Sequence, residues 1–548
     1  MSGSLVKQSC PDRRELLQAG WGLTAALTTG AWGRDGQGAG FTHDVASGDP
    51  DQRSVTLWTR YVTSDPNGAS LRFEVSEDEA FRLIVARGSV SAGAATDFCF
   101  HARPADLQPG RWYFYRFVAP AGQRSPTGRT RTLPEGRVED FRVAVMSCSN
   151  ATSGWFTAYA HAAGRDDIDL ILHLGDYIYE SVLTRSDAVP GLAEQRGIQP
   201  PHEAITLADY RLRYASYRND PALRLLHRRF PFVVIRDDHE TANNSWKYGA
   251  KNHGLWEGTW SKRAAAGIQA HQEWLPMRHT DYNAYQIGDL ATIIRIETRN
   301  RARSKQLKVE DALGLDKTPR ASIANFLKTQ LADETRTMMG LDQERWVADS
   351  LQKSVTEGIR WQLLAQQVVM APTRFPSSIA NWFRSDRQIS SQDRKRLEQV
   401  IWLAEAGMPL SLDRWDGYPA ARARLFKAAG RANANLVVLT GDSHNAWAYN
   451  LHHNKVPVGV ELAGQAVSSF GLDKRFSGDP EIIARSFMES NPNLAWCDTS
   501  RRGYMVARLT RDLIENTWVF LDSTHPKNLA VTDTQTISVE YGAKRLSL

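Results

Sequence analysis

The chain has 548 residues, of which 42% are apolar and 23% charged, and a formal net charge of +6. That length exceeds one small domain and the composition supports a large core, which excludes a disordered chain. The mild basic excess is spread along the chain and would suit an anionic substrate, but no arginine-rich arm or nucleic-acid motif accompanies it, and a solvated surface is the commoner explanation.

Elements in chain order begin with residues 1–40, where Arg13 and Arg14 precede Leu16, Leu17 and a short, weakly apolar stretch. The stretch is too short for a stable membrane span. An arginine pair with this spacing predicts a twin-arginine (Tat) export signal, with the Tat machinery as partner and a periplasmic or extracellular destination. Residues 41–135 read as all-β: "SVTLWTRYV", "SLRFEVSED" and "RWYFYRFVA" are β-branched and aromatic runs between Gly, Pro and Asp turns. They predict a small antiparallel sandwich of immunoglobulin or fibronectin type. "GRTRTLPEGRVED" then reads as a linker.

Residues 140–548 change character. The apolar runs "FRVAVMS", "LILHLG", "PFVVIR", "LATIIRIE", "WQLLAQQVVMA" and "NLVVLTG" alternate with helical stretches. Helices are predicted over Trp155 to Ala163, Leu207 to Leu226, Trp260 to Trp274 and Gln343 to Val355. Strands interleaved with helices predict an α/β layered fold. Residues 181–206 and 301–335 read as long loops. Four cysteines, Cys10, Cys99, Cys148 and Cys497, show no zinc-type spacing and assign no disulfide.

The chemistry gathers where these runs stop. The first ends in Cys148, Ser149 and Asn150. The second ends in Asp176, with Tyr179 three residues on. The third ends in Asp237, Asp238, His239 and Glu240, and the last in Asp442, Ser443 and His444. Open α/β sheets bind ligands outside the carboxyl ends of their strands, so these groups are expected to meet in space. Singly each has an ordinary explanation: Asp176 a turn, Cys148 a buried small residue, the Asp pair a solvated turn. Four together point to a metal site, because clustered carboxylates repel one another unless cations neutralise them. Asp176 is expected to bridge two metals. Thiolate and phenolate from Cys148 and Tyr179 suit ferric iron, whereas Asp238 and Asp442 suit Ca²⁺, Mn²⁺ or Mg²⁺. His239 is placed to give a proton to a leaving group. Arg299 reads equally as a phosphate contact or a structural ion pair, and His271 and Cys497 as structural.

The order of these motifs resembles the metallophosphoesterases, with Cys148 in place of a first aspartate, Asp238 in place of an asparagine and Asp442 in place of a histidine. Tyr179 after Gly175-Asp176 is similar to the purple acid phosphatases. The departures together resemble the PhoD-like alkaline phosphatases and phosphodiesterases, as do "VASGDPDQRSVTLWTR" (45–60), "GRTRTLP" (128–134), "WDGYPAARARL" (415–425) and "RRGYM" (501–505). The resemblance implies an α/β metallophosphoesterase-type layered β-sandwich flanked by helices, preceded by the small all-β domain. It implies an exported enzyme hydrolysing phosphate mono- or diesters with Fe³⁺ and Ca²⁺. Carried onto this chain, Cys148, Asp176, Tyr179 and His444 would hold iron, and Asp176, Asp238 and Asp442 calcium. Asn150, Asp237, Asn243, Asn244 and Asp416 are further candidates for metal or phosphate contact; Asn243 and Asn244 would serve equally as helix caps. Two other readings stand beside this one: a phospholipase D-like phosphodiesterase, and an exported binding module with a structural metal site.

Overall fold

The computed structural model describes residues 39–182, 188–313, 320–382, 391–476 and 478–548. The arginine pair and Cys10 lie outside the described residues.

Two large mixed sheets are stacked face to face. The first has ten strands, in the order Leu546–Ser547, Val531–Glu540, Leu513–Leu521, Arg502–Thr510, Asp140–Met146, Leu170–His173, Pro231–Val234, Gly40–Gly48, Thr56–Val62 and Cys99–Ala102. The second has seven: Asn283–Ile287, Ala291–Arg295, Trp361–Ala365, Leu436–Thr440, Val456–Ala463, Ala446–His453 and Leu494–Asp498. Each has a parallel centre. Asp140–Met146, Leu170–His173 and Pro231–Val234 run parallel in one sheet, and Ala291–Arg295, Trp361–Ala365 and Leu436–Thr440 in the other. Parallel strands are covered on both faces, which is why they read as unbroken apolar runs. Val143, Ile171 and Val233 share one core with Ile293, Leu363 and Val437 across the interface. The alternate residues Ile294, Leu364 and Val438 point outward, against Val347 and Leu351 of the helix Leu341–Thr356 and Leu425 and Phe426 of the helix Pro419–Ala432. Helices Thr157–Ala163, Leu207–Arg218, Pro221–Arg229 and Trp260–Trp274 pack against the ten-stranded sheet. The predicted layered fold is the observed one.

The amino-terminal sandwich is not separate from this frame. A four-stranded sheet, Ile84–Ala92, Ala69–Ser76, Trp112–Val118 and Gly128–Arg131, closes over a core that includes Leu71, Val75, Tyr115 and Phe117. Its opposing sheet is the edge of the ten-stranded one, joined where Ser47 and Gly48 pair in parallel with Pro231 and Phe232. A Cβ at Gly48 would sit 2.5 Å from the Phe232 carbonyl oxygen, so the junction requires glycine.

Local departures have local causes. The single helix predicted from Leu207 to Leu226 is two, because Asp220 caps a new start by accepting from the Ala222 and Leu223 amides and Pro221 takes the first helical position. The predicted linker contains the strand Gly128–Arg131, paired with Trp112–Val118. "WQLLAQQVVMA" stops being a strand at Ala365. Beyond it the Gln367 amide donates to the Arg236 carbonyl (2.6 Å) and Gln366 accepts from the Trp415 indole (2.9 Å). The stretches read as loops contain helices Leu192–Gln195, Val309–Leu313 and Arg320–Lys328. Cys99, Cys148 and Cys497 are free, buried thiols. Among the described residues no helix is long and apolar enough to cross a membrane.

Candidate metal centre

The strand ends that terminate in ligand-type residues converge, and the backbone there is bent. Cys148, Asp176, Asp442 and His444 all have φ between 54° and 60°, a left-handed conformation that L-residues adopt at a cost and that clusters at functional sites. Gly175 has φ 105°, and a Cβ there would lie 2.4 Å from that of Asp237. The glycine lets the second and third strand ends touch. Main-chain bonds tie the ends together: Cys148 N–H donates to the Gly175 carbonyl (3.2 Å) and Ser149 N–H to that of Asp176 (2.9 Å). The buried Glu240 carboxylate accepts the amides of Asp176 (3.2 Å), Tyr177 (2.5 Å) and Asp237 (2.7 Å).

On this frame stand three adjoining groups of donors, each with ligand atoms within 4.8 Å of one another: Cys148, Asp176 and His444; Asp176, Asp238 and His239; Asp237, Asp238 and Asp442. Asp176 belongs to the first two and Asp238 to the last two. Tyr179 joins the first group. Its hydroxyl donates to Asp176 Oδ2 (2.9 Å), accepts from Ser469 Oγ (2.7 Å) and lies 3.3 Å from His444 Nε2. His444 Nδ1 donates to the Phe470 carbonyl (2.6 Å), which leaves Nε2 with the lone pair a metal requires. His239 stacks on the Tyr179 ring at 4.1 Å.

The electrostatics fit a cation. Asp176 Oδ1 and Asp237 Oδ2 are buried without hydrogen-bond partners, an expensive state for a carboxylate oxygen. Burial, with neighbouring carboxylates adding to it, pushes the Asp176 and Asp237 carboxyls well above their usual range. Burial and the Asp176 charge do the same to the Cys148 thiol and the Tyr179 phenol. A bound cation would reverse that preference and favour the anionic forms. The donor set fits: sulfur, phenol oxygen, imidazole and carboxylate in the first group suit a transition metal, and the three carboxylates of the third group suit a hard divalent ion.

Several sequence-predicted residues take other places. Arg299 is fully buried and forms ion pairs with Asp237, with Asp413 (2.7 Å) and with Asp442 (3.1 Å), so in this structure it organises carboxylates. Asn243 and Asn244 contribute main-chain amides, to Glu180 (2.8 Å) and Asp238 Oδ2 (2.6 Å). Asn150 turns its side-chain oxygen onto the amide and hydroxyl of Thr152, shaping its own loop. Asp416 binds the Thr373 amide (3.0 Å) and Arg422 (2.6 Å). It is not brought to the cluster, whereas Asp413, three residues earlier, is. His271 lies on the helix Trp260–Trp274 and Cys497 on the strand Leu494–Asp498, and neither belongs to the donor groups. Sequence reasoning missed Asp413 and Glu180. Fully buried Glu180 holds His239 Nδ1 at 2.6 Å, and its one sequence signal is adjacency to Tyr179.

Comparison with known proteins places the chain in a family. Residues 143–518 match the PhoD-like phosphatase family model, and residues 26–134 match the model for the N-terminal domain of PhoD-like phosphatases. The chain is 32% identical over 539 residues to alkaline phosphatase D of Bacillus subtilis (strain 168), covering 91% of this chain and 82% of that relative. It superposes on the solved structure of PhoD with a TM-score of 0.75 and 29% identity, over 93% of this chain and 92% of the other. The chain belongs to the PhoD-like phosphatase family and is a hydrolase of phosphate esters.

Proposed function

We propose that this phosphoesterase works with two metals held by the strand-end cluster, after export by the twin-arginine route. Cys148, Asp176, Tyr179 and His444 would hold ferric iron; Asp176, Asp238 and Asp442 would hold calcium, or Mn²⁺ or Mg²⁺ in its place. Residues 41–135 would form the accessory sandwich and 140–548 the catalytic part. The observation that carries the reading is Asp176, whose carboxylate stands with Cys148 and His444 on one side and with Asp238 on the other and keeps one buried oxygen without a partner. When bound, such a pair supplies a nucleophilic hydroxide at neutral pH and charge neutralisation at phosphorus.

The chain's own residues supply the rest. Glu180 fixes His239 through Nδ1, and stacking on Tyr179 fixes the plane of the ring, leaving Nε2 to hand a proton to the departing oxygen. Arg299 holds Asp237, Asp413 and Asp442 in register. Ester hydrolysis with these groups needs no covalent serine or threonine intermediate. A phospholipase D-like enzyme and a non-catalytic binding module are less favoured, since family and relative alike are phosphatases.

The test is a paired assay on one preparation. Hydrolysis of a chromogenic phosphomonoester and of the matching diester is measured with added Ca²⁺ and with a calcium chelator. Turnover abolished by the chelator and restored by Ca²⁺ supports the proposal, and the ratio of rates assigns monoester or diester preference. Turnover indifferent to the chelator would count against calcium.

A further inference from the structure

Beside the metal centre the chain holds an apolar tip in open solvent. The loop that follows Asn243 and Asn244 is rooted in the site by their amides on Glu180 and Asp238. It closes on itself where the Trp260 indole N–H donates to the Lys247 carbonyl (3.3 Å) and the Lys251 amide to the Asn243 carbonyl (3.0 Å). Beneath it the fully buried Arg263 donates to Glu257 Oε2 (2.6 Å) and to the Asn252 carbonyl (2.8 Å). The same Glu257 oxygen accepts the Gly254 amide (3.1 Å) and lies 3.2 Å from His253 Nδ1. This clamp fixes the short turn Leu255–Glu257 and leaves Leu255 93% and Trp256 95% exposed, with Tyr248 76% exposed on the same loop.

Adjacent large apolar side chains held this far into water by an ordered ion-pair network mark an interaction surface. The charges around them say what kind. From Ser245 to Lys262 the one acid is Glu257, already bonded to Arg263 and to the Gly254 amide, whereas Lys247, Lys251 and Lys262 are exposed. An aromatic and aliphatic tip with a lysine collar is complementary to the headgroup boundary of an anionic lipid layer. We propose that this loop docks the protein on an anionic lipid surface, Leu255 and Trp256 entering the headgroup boundary and the three lysines meeting the negative headgroups. Because the loop is rooted on Glu180 and Asp238, docking holds the candidate metal centre beside that surface. The inference does not depend on which metals are bound or which ester is cleaved.

The experiment is co-sedimentation of the full chain with phosphatidylcholine vesicles that contain or lack phosphatidylglycerol, over a salt series. The expected result is binding to the anionic vesicles that weakens as salt rises. The double variant Leu255→Ser/Trp256→Ser is expected to bind at least ~10-fold more weakly. The triple variant Lys247→Gln/Lys251→Gln/Lys262→Gln is expected to lose most of the salt dependence. All these side chains are exposed and their loss leaves the core intact. No binding to anionic vesicles at low salt, or equal binding by wild type and both variants, overturns the proposal. So does a concentration-dependent dimer in size-exclusion chromatography that the double variant abolishes, because the patch would then belong to a second copy of the chain.

Discussion

Asp176 and Glu180 sit four residues apart, yet their environments assign them different work. Asp176 offers a partnerless buried oxygen to two donor groups. Glu180 spends both oxygens on protein donors, His239 Nδ1 and the Asn243 amide. Substitution should separate them. Asp176→Asn keeps the shape but removes the shared negative charge, so bound metal measured by elemental analysis should fall with activity, by ~10³-fold or more in kcat, while the circular dichroism spectrum is retained. An unfolded variant would instead make the site structural. Glu180→Gln can accept only one of its two present donors, so His239 loses its anchor or the Asn243 loop does. Metal content should then be unchanged and kcat lower by ~10²-fold, with KM little moved. Loss of metal in Glu180→Gln would place Glu180 in the metal shell instead.

At the scale of elements, the turns after the strands do more than the strands themselves. Gly175 is the case with the least freedom, since its φ of 105° and the 2.4 Å approach to Asp237 are both denied to a larger residue. Gly175→Ala should destabilise the fold by about 1–3 kcal/mol, read as a lowered denaturation midpoint, and should depress activity further by parting Asp176 from Asp237. An unchanged midpoint would show that the two strand ends can separate freely. The same contrast explains what was legible in the sequence. Strands such as Leu170–His173 and Leu436–Thr440 are buried at every residue and so read as apolar runs with acids at their ends. Val531–Glu540 is exposed along most of its length and Gly128–Arg131 carries two arginines in four residues, so neither has the apolar signal of a core strand. The break at Asp220-Pro221 carries a cap-and-proline signal that a run of helix formers on both sides obscures. Asp413 and Glu180 reach the site from loops through partners far away in sequence, Arg299 and His239, and no local pattern encodes such a meeting.

At the scale of the molecule, the shared sheet decides how the amino-terminal part behaves. Besides the parallel pairing at Ser47 and Gly48, the Trp58 indole donates to the Glu273 carbonyl (2.8 Å), and Asp49 binds Arg278 and the Tyr285 hydroxyl (2.6 Å). His101, on the edge strand Cys99–Ala102, bonds through Nε2 to the Leu275 carbonyl (3.0 Å) just past the helix Trp260–Trp274. A junction of continuous sheet and buried polar contacts couples the two parts, so calorimetry should show one unfolding transition; two resolved transitions would refute the coupling. Acid should weaken this junction in a defined window. Burial lowers the His101 pKa from its usual 6.5 to about 4. Between those values the unfolded chain binds a proton that the folded chain refuses, so stability falls as pH drops from 6.5 towards 4 and is fully present above 6.5. His101 alone should contribute about 2 kcal/mol of that loss, allowing for the partial exposure of the residue. His101→Gln keeps a donor for the Leu275 carbonyl but has nothing to titrate. Its stability relative to wild type should therefore rise on acidification across this window, and a constant difference between the two proteins from pH 7 to pH 4 would show that His101 does not sense acid at the junction.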